Sequence, residues 1–128
     1  MGMHVRTERK NWPAYLFDIA RMVATRATCP RRQVGAVITV NKRIIATGYN
    51  GAPSGEYHCY VKGCDMVDGH CKRTIHAETN AVDIAKHSML TLDSNEIEMY
   101  CTTKPCEECN NYILETFPDI KIYWLEDY

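Results

Sequence analysis

The chain has 128 residues, 45% apolar and 24% charged, a composition that fits one globular domain over 1–128 and excludes a disordered chain. The net charge of −1 hides an asymmetry: residues 1–48 hold nine Lys/Arg against two acids, and residues 49–128 hold six against fourteen. Such asymmetry suits a face that meets an anion, whereas the missing basic excess argues against nucleic acid as a partner.

Residues 1–11 are charged and lack an apolar core, so no secretory signal is expected. The best apolar runs, 34–40 and 44–49, are too short to cross a bilayer, so the expectation is a cytoplasmic protein with no membrane partner. Seven cysteines in such a chain point to reduced thiols and metal ligands rather than to disulfides.

The first predicted element is a helix over 12–28, where Leu16, Ile19, Ala20, Val23 and Ala27 recur at helical spacing. Asn11 is its expected cap, Pro13 is tolerable in the first turn, and Pro30 is the expected stop. The β-rich runs 33–40 and 43–48 are joined by Asn41-Lys42, which predicts a hairpin. Residues 49–74, rich in glycine and with little periodicity, read as a long loop, a feature that is usually functional or tied down. A second helix is expected from Ile75 to about Ser88, with Ala77, Ala81, Ile84 and Ala85 on one face. Then come a strand over 96–102, a helix over 107–117 and a strand over 120–125. A hairpin followed by alternating helices and strands argues for an α/β fold, a mixed sheet with helices on both faces.

Chemistry concentrates in His76-Ala77-Glu78 and Pro105-Cys106-Glu107-Glu108-Cys109. Cys106 and Cys109, three apart at a helix start, can converge on one ion, and a helix N-terminus favours the thiolate. His76, at the start of the preceding helix, is the third candidate ligand. Three protein ligands leave one tetrahedral position open, the mark of a catalytic zinc. Glu78 is not needed as a ligand and is placed to accept and deliver protons. H-x-E followed by P-C-x-x-C is the signature of zinc nucleobase deaminases. Each piece alone is weak, since a lone C-x-x-C also marks a redox pair or half a zinc ribbon.

These residues resemble the cytidine deaminase-like superfamily, and further runs narrow the resemblance to deoxycytidylate (dCMP) deaminases. They are Arg26-Ala27-Thr28-Cys29 leading into Val34-Gly35-Ala36-Val37, then Gly48-Tyr49-Asn50-Gly51-Ala52-Pro53, and Asp68-Gly69-His70-Cys71-Lys72-Arg73-Thr74 ahead of Ile75-His76. The resemblance implies a three-layer α/β/α sandwich, usually with a fifth strand and closing helix beyond the last strand predicted here. It implies hydrolysis of dCMP to dUMP and ammonia, with zinc on His76, Cys106 and Cys109 and with Glu78 carrying the protons. Arg26 would pair with the 5′-phosphate and Asn50 would hold the deoxyribose and pyrimidine amide edge. Ala77 and Tyr128 would complete the substrate contacts. A homohexamer activated by dCTP and inhibited by dTTP, with Mg²⁺ on the triphosphate, is also implied.

Cys29, Cys59, Cys64 and Cys71 remain after Cys101, a strand residue that needs no partner. They fall at the end of the first helix and along the loop, which has too little apolar surface to order itself. A second, structural zinc on these four would clamp it, with His58 or His70 able to replace one ligand. The rival readings are a deaminase of other bases on the same zinc core and a zinc-stabilised binding module, for which Glu78 would have no use.

Overall fold

The computed structural model describes residues 9–28, 32–51, 76–88 and 96–126, together with the backbone of 66–67 and 70–71. Helix α1 (Trp12–Ala24) begins as expected: Asn11 Oδ1 accepts the Ala14 N–H at 2.9 Å, with a proline in the first turn, where no donor is needed. It ends at Ala24, before residue 28, and Pro30 is not what stops it. Thr25 Oγ1 donates to Met22 O at 2.6 Å, and the N–H groups of Thr25, Arg26 and Ala27 reach back three residues to Met22, Val23 and Ala24. Those shorter hydrogen-bonded rings tighten and close the last turn.

Strands β1 (Gly35–Val40) and β2 (Arg43–Tyr49) form the expected hairpin, with Val40 opposite Arg43. Asn41 at φ 50° and Lys42 at φ 68° supply the two left-handed residues that a type I′ turn requires. The stretch read as loop carries two short strands, β3 (Met66–Val67) and β4 (His70–Cys71), paired antiparallel with Met66 opposite Cys71. Two-residue strands leave no period-two pattern, although Asp68-Gly69 between them is a hairpin dipeptide. Next come α2 (Ala77–Ala85), β5 (Ile97–Thr103), α3 (Glu107–Thr116) and β6 (Lys121–Glu126).

The main sheet runs β2-β1-β5-β6, with β1 antiparallel to both neighbours and β5 parallel to β6. Alternation along β1 sorts its side chains between two helical layers. Val37 joins Leu16, Ala20 and Tyr100 under α1, whereas Ala36 and Ile38 join Ala81, Val82, Met99, Cys101 and Ile113 under α2 and α3. The result is a three-layer α/β/α sandwich whose central β1 is buried throughout. On α2 the buried arc is Ala77, Glu78, Ala81, Val82 and Ala85, and Ile84, expected on that face, is 55% exposed because it falls at the arc's rim.

Gly35 lets α1 lie directly on the sheet, since a Cβ there would stand 2.7 Å from Ala24 N. No helix among the described residues is long and apolar enough to cross a membrane.

Candidate active site

His76 is the N-cap residue of α2 and Cys106 that of α3, and neither side chain caps its own helix. They turn toward each other instead. His76 Nδ1 lies 3.4 Å from Cys106 Sγ and 3.0 Å from Cys109 Sγ. Two helix starts more than twenty residues apart in sequence therefore meet at one point.

Both helices are fixed near that point and farther along. The Asn80 backbone N–H donates to His76 O at 3.1 Å, and Asn80 Nδ2 donates to Tyr49 O at 2.8 Å, tying α2 to the end of β2. Strand β5 delivers buried Pro105 and then Cys106, with the Lys104 N–H held by Glu126 O at 2.7 Å. Beyond the first turns, Tyr112 Oη donates to Asp83 Oδ1 and accepts from Lys86 Nζ at 3.1 Å, joining α3 to α2.

The ligand atoms of His76, Cys106 and Cys109 all lie within 4.8 Å of one another. Tetrahedral zinc, with Zn–N near 2.0 Å and Zn–S near 2.3 Å, separates nitrogen from sulfur by about 3.6 Å. The donor chemistry and the spacing both fit such an ion. For Nδ1 to ligate an ion here, the proton of the neutral ring must sit on Nε2. The three described cysteines, Cys101, Cys106 and Cys109, are free of disulfides.

Glu78, in the first turn of α2, is 4% exposed. Burial pushes its carboxyl above the ordinary range, outweighing the hydrogen bond with Cys109 and the charge of Arg32, which pull it down. A carboxyl moved toward neutrality in this way suits proton transfer. The Cys109 thiol is also pushed up, by burial first and then by the Glu78 charge. With no metal ion bound, desolvation and the neighbouring carboxylate act against the thiolate at this buried sulfur. A divalent cation would reverse that balance. Cys101 is fully buried beneath the site, its thiol raised well above the usual range by burial.

Asn50 is buried, and both ends of its amide are engaged: Oδ1 accepts the Val34 N–H and Nδ2 donates to Arg32 O, each at 2.7 Å. Its backbone N–H donates to Val34 O at 3.3 Å and its carbonyl accepts the Thr28 N–H at 3.1 Å. Asn50 thus ties together the exit of α1, the approach to β1 and the exit of β2. Arg26 is exposed just beyond α1, two residues from that tie. Ala77 is fully buried, packed against β2 at Gly48. Tyr128, Cys29, Cys59 and Cys64 lie outside the described residues, and of Cys71 only the backbone is described.

Sequence reasoning did not single out Thr79 or Asn80. Thr79 Oγ1 stands 3.7 Å from Cys109 Sγ. The available signal was spacing: residues three and four beyond His76 share its face of a helix.

Comparison with known proteins agrees with this geometry. The "Cytidine and deoxycytidylate deaminase zinc-binding region" family matches residues 10–124. The chain is 44% identical over 122 residues to ComE operon protein 2 of Bacillus subtilis (strain 168), covering 94% of this chain and 62% of that protein. It is 35% identical over 114 residues to the deoxycytidylate deaminase of Saccharomyces cerevisiae, covering 84% of this chain and 36% of that protein. The chain therefore spans less than two thirds of either relative. Among solved structures, the dCMP deaminase of cyanophage S-TIM5 in complex with dCMP and dUMP superposes with a TM-score of 0.72 at 31% identity, covering 90% of this chain and 80% of that one. With a His/Cys/Cys cluster at two helix starts, a buried glutamate beside it and a family match across nearly its whole length, the chain belongs to the cytidine and deoxycytidylate deaminase zinc-binding family.

Proposed function

We propose that the protein, as a single domain over residues 1–128, hydrolyses dCMP to dUMP and ammonia. The observation that carries this reading is the buried Glu78 carboxyl two residues from a His76–Cys106–Cys109 cluster whose donor atoms lie within 4.8 Å of one another. A zinc ion held by those three side chains would supply a Lewis acid that makes water nucleophilic near neutral pH. Glu78 takes a proton from the water that adds to C4 of the cytosine ring and gives it to N3. Glu78 then passes the remaining hydroxyl proton to the amino group, the C4–N bond breaks, and ammonia leaves behind a C4 carbonyl. Because Glu78 is nearly sealed from solvent, its proton moves between reacting atoms and not into bulk water.

The choice of dCMP over deoxycytidine rests on Arg26, while Asn50 is proposed to hold the deoxyribose and the pyrimidine amide edge of either substrate. Arg26 offers a fixed fork of donors for a phosphate, and Asn50 holds the adjoining turns. Tyr128 completes the proposed contacts, and Ala77, fully buried against β2, backs the site between His76 and Glu78. The resemblance also supports a cytoplasmic homohexamer with dCTP as activator, dTTP as inhibitor and Mg²⁺ on the triphosphate. The four cysteines outside the catalytic cluster and β5 support a second, structural zinc on Cys29, Cys59, Cys64 and Cys71.

Ammonia release from dCMP, CMP, deoxycytidine and guanine, with and without dCTP and dTTP, tests the reading. Preferred turnover of dCMP supports it; turnover of guanine or free deoxycytidine in preference to dCMP overturns it.

A further inference from the structure

We propose that Thr79 is a positioning residue whose hydroxyl donates a hydrogen bond to Cys109 Sγ and so strengthens the grip of His76, Cys106 and Cys109 on a metal ion. The proposal rests on the reading that these three side chains hold zinc. Thr79 stands one helical turn beyond His76, half-buried, with Oγ1 at 3.7 Å from Cys109 Sγ. A helical threonine hydroxyl often bonds back to a carbonyl three or four residues earlier, but here it reaches across to the neighbouring helix.

The chemistry of the surroundings assigns the direction of that bond. A cysteine that ligates a metal is a thiolate, with no proton to give. Cys109 is 3% exposed, so water has little access to it. When His76 ligates, its Nδ1, 3.0 Å away, turns a lone pair to the ion and has no hydrogen for the sulfur. In the bond between Thr79 and a Cys109 thiolate, 3.7 Å apart, the hydroxyl is therefore the donor. Such outer partners fix a ligand's orientation, and their loss typically weakens metal affinity about 10- to 100-fold.

The test is a competition titration of zinc against a chromophoric chelator for the full chain and for Thr79→Val, Thr79→Ala and Thr79→Ser. Cobalt(II) spectra of the same proteins give a second readout. Valine keeps the shape, alanine guards against misfolding of the valine variant, and serine keeps the hydroxyl. Valine and alanine should each weaken zinc binding about tenfold or more. Both should move the sulfur-to-cobalt charge-transfer band to longer wavelength, because an unbonded thiolate gives up its electron more easily. Serine should restore both readouts. A valine or alanine variant that binds zinc within twofold of the parent with an unmoved band overturns the proposal, as does a serine variant that behaves like valine. A parent chain that fails to bind zinc at this site overturns the underlying reading as well, which separates the two failures.

Discussion

A Cβ on Gly48 would stand 2.5 Å from the backbone nitrogen of Ala81, closer than real side chains approach, so α2 rests on β2 with no side chain between them. Because α2 carries His76 at its start, Gly48→Ala should push the imidazole away from the two thiols. The expected cost is about 1–3 kcal/mol in urea unfolding, accompanied by reduced zinc content. Gly35→Ala presses instead on α1, on the opposite face, and should cost similar stability while leaving zinc content intact. Equal zinc loss in both variants would contradict this division.

Glu78→Gln should keep the fold and the metal but reduce turnover by about 10²- to 10⁴-fold, the usual worth of a positioned acid–base group. The amide has the same shape and cannot carry the proton. Steady-state kinetics with metal analysis of the same preparation decides the matter, and near-normal activity would remove Glu78 from its role.

Arg26 and Asn50 should separate by substrate. Arg26→Ala should lower kcat/KM for dCMP about 10- to 100-fold while sparing deoxycytidine, because a charge-assisted contact to phosphate is lost. Asn50→Ala frees the buried Val34 N–H and the part-buried Arg32 carbonyl, and should destabilise the chain by about 1–3 kcal/mol. Its kinetic losses should fall on both substrates together.

Lys42, in the β1–β2 turn, donates to the buried Glu98 carboxylate at 2.7 Å, and Tyr100 Oη donates to the same oxygen at 3.2 Å. Lys42→Met should cost about 1–3 kcal/mol at neutral pH by leaving that carboxylate short of partners. The hydrogen bond to Glu98 raises the Lys42 pKa above its ordinary value. The folded state therefore holds the proton more tightly, and the stabilisation is complete below the ordinary lysine value of about 10.4 and lost as pH rises through the raised one. Urea unfolding at about pH 7 and about pH 11 should show the gap between parent and variant narrowing at the higher pH. A constant gap would point to the lysine methylenes, and Lys42→Met with Glu98→Gln should recover most of the loss.

For the second zinc, protein purified without chelator should carry about two zinc ions per chain. One zinc and four freely titrating thiols at Cys29, Cys59, Cys64 and Cys71 would reject it.

The architecture is legible in the sequence where one physical rule acts alone. Asn11 caps α1 with its own side chain, and Asn41-Lys42 turns the hairpin through its own backbone angles. The His76–Cys106–Cys109 cluster is legible for a related reason, since Cys106 and Cys109 share one helix start and Glu78 sits two residues from His76. Features that depend on partners distant in sequence were less accessible. Asn50 ties three segments through bonds to residues 28, 32 and 34, and Thr79 meets a thiol thirty residues away. The end of α1 escaped because Thr25, and not the obvious proline, closes the turn.

The meeting of two helix starts also has a thermodynamic side. His76 and Cys109 are separated by 33 positions, so an ion that binds both closes a long loop in the chain. Closing it restricts the unfolded ensemble, and the grip exists only once β2, β5 and both helices have assembled. An ion held there would make metal occupancy and folding one coupled equilibrium, in which free zinc would add stability with the logarithm of its concentration above the dissociation constant. Withdrawing such an ion would then lower fold stability together with the proposed reactive centre.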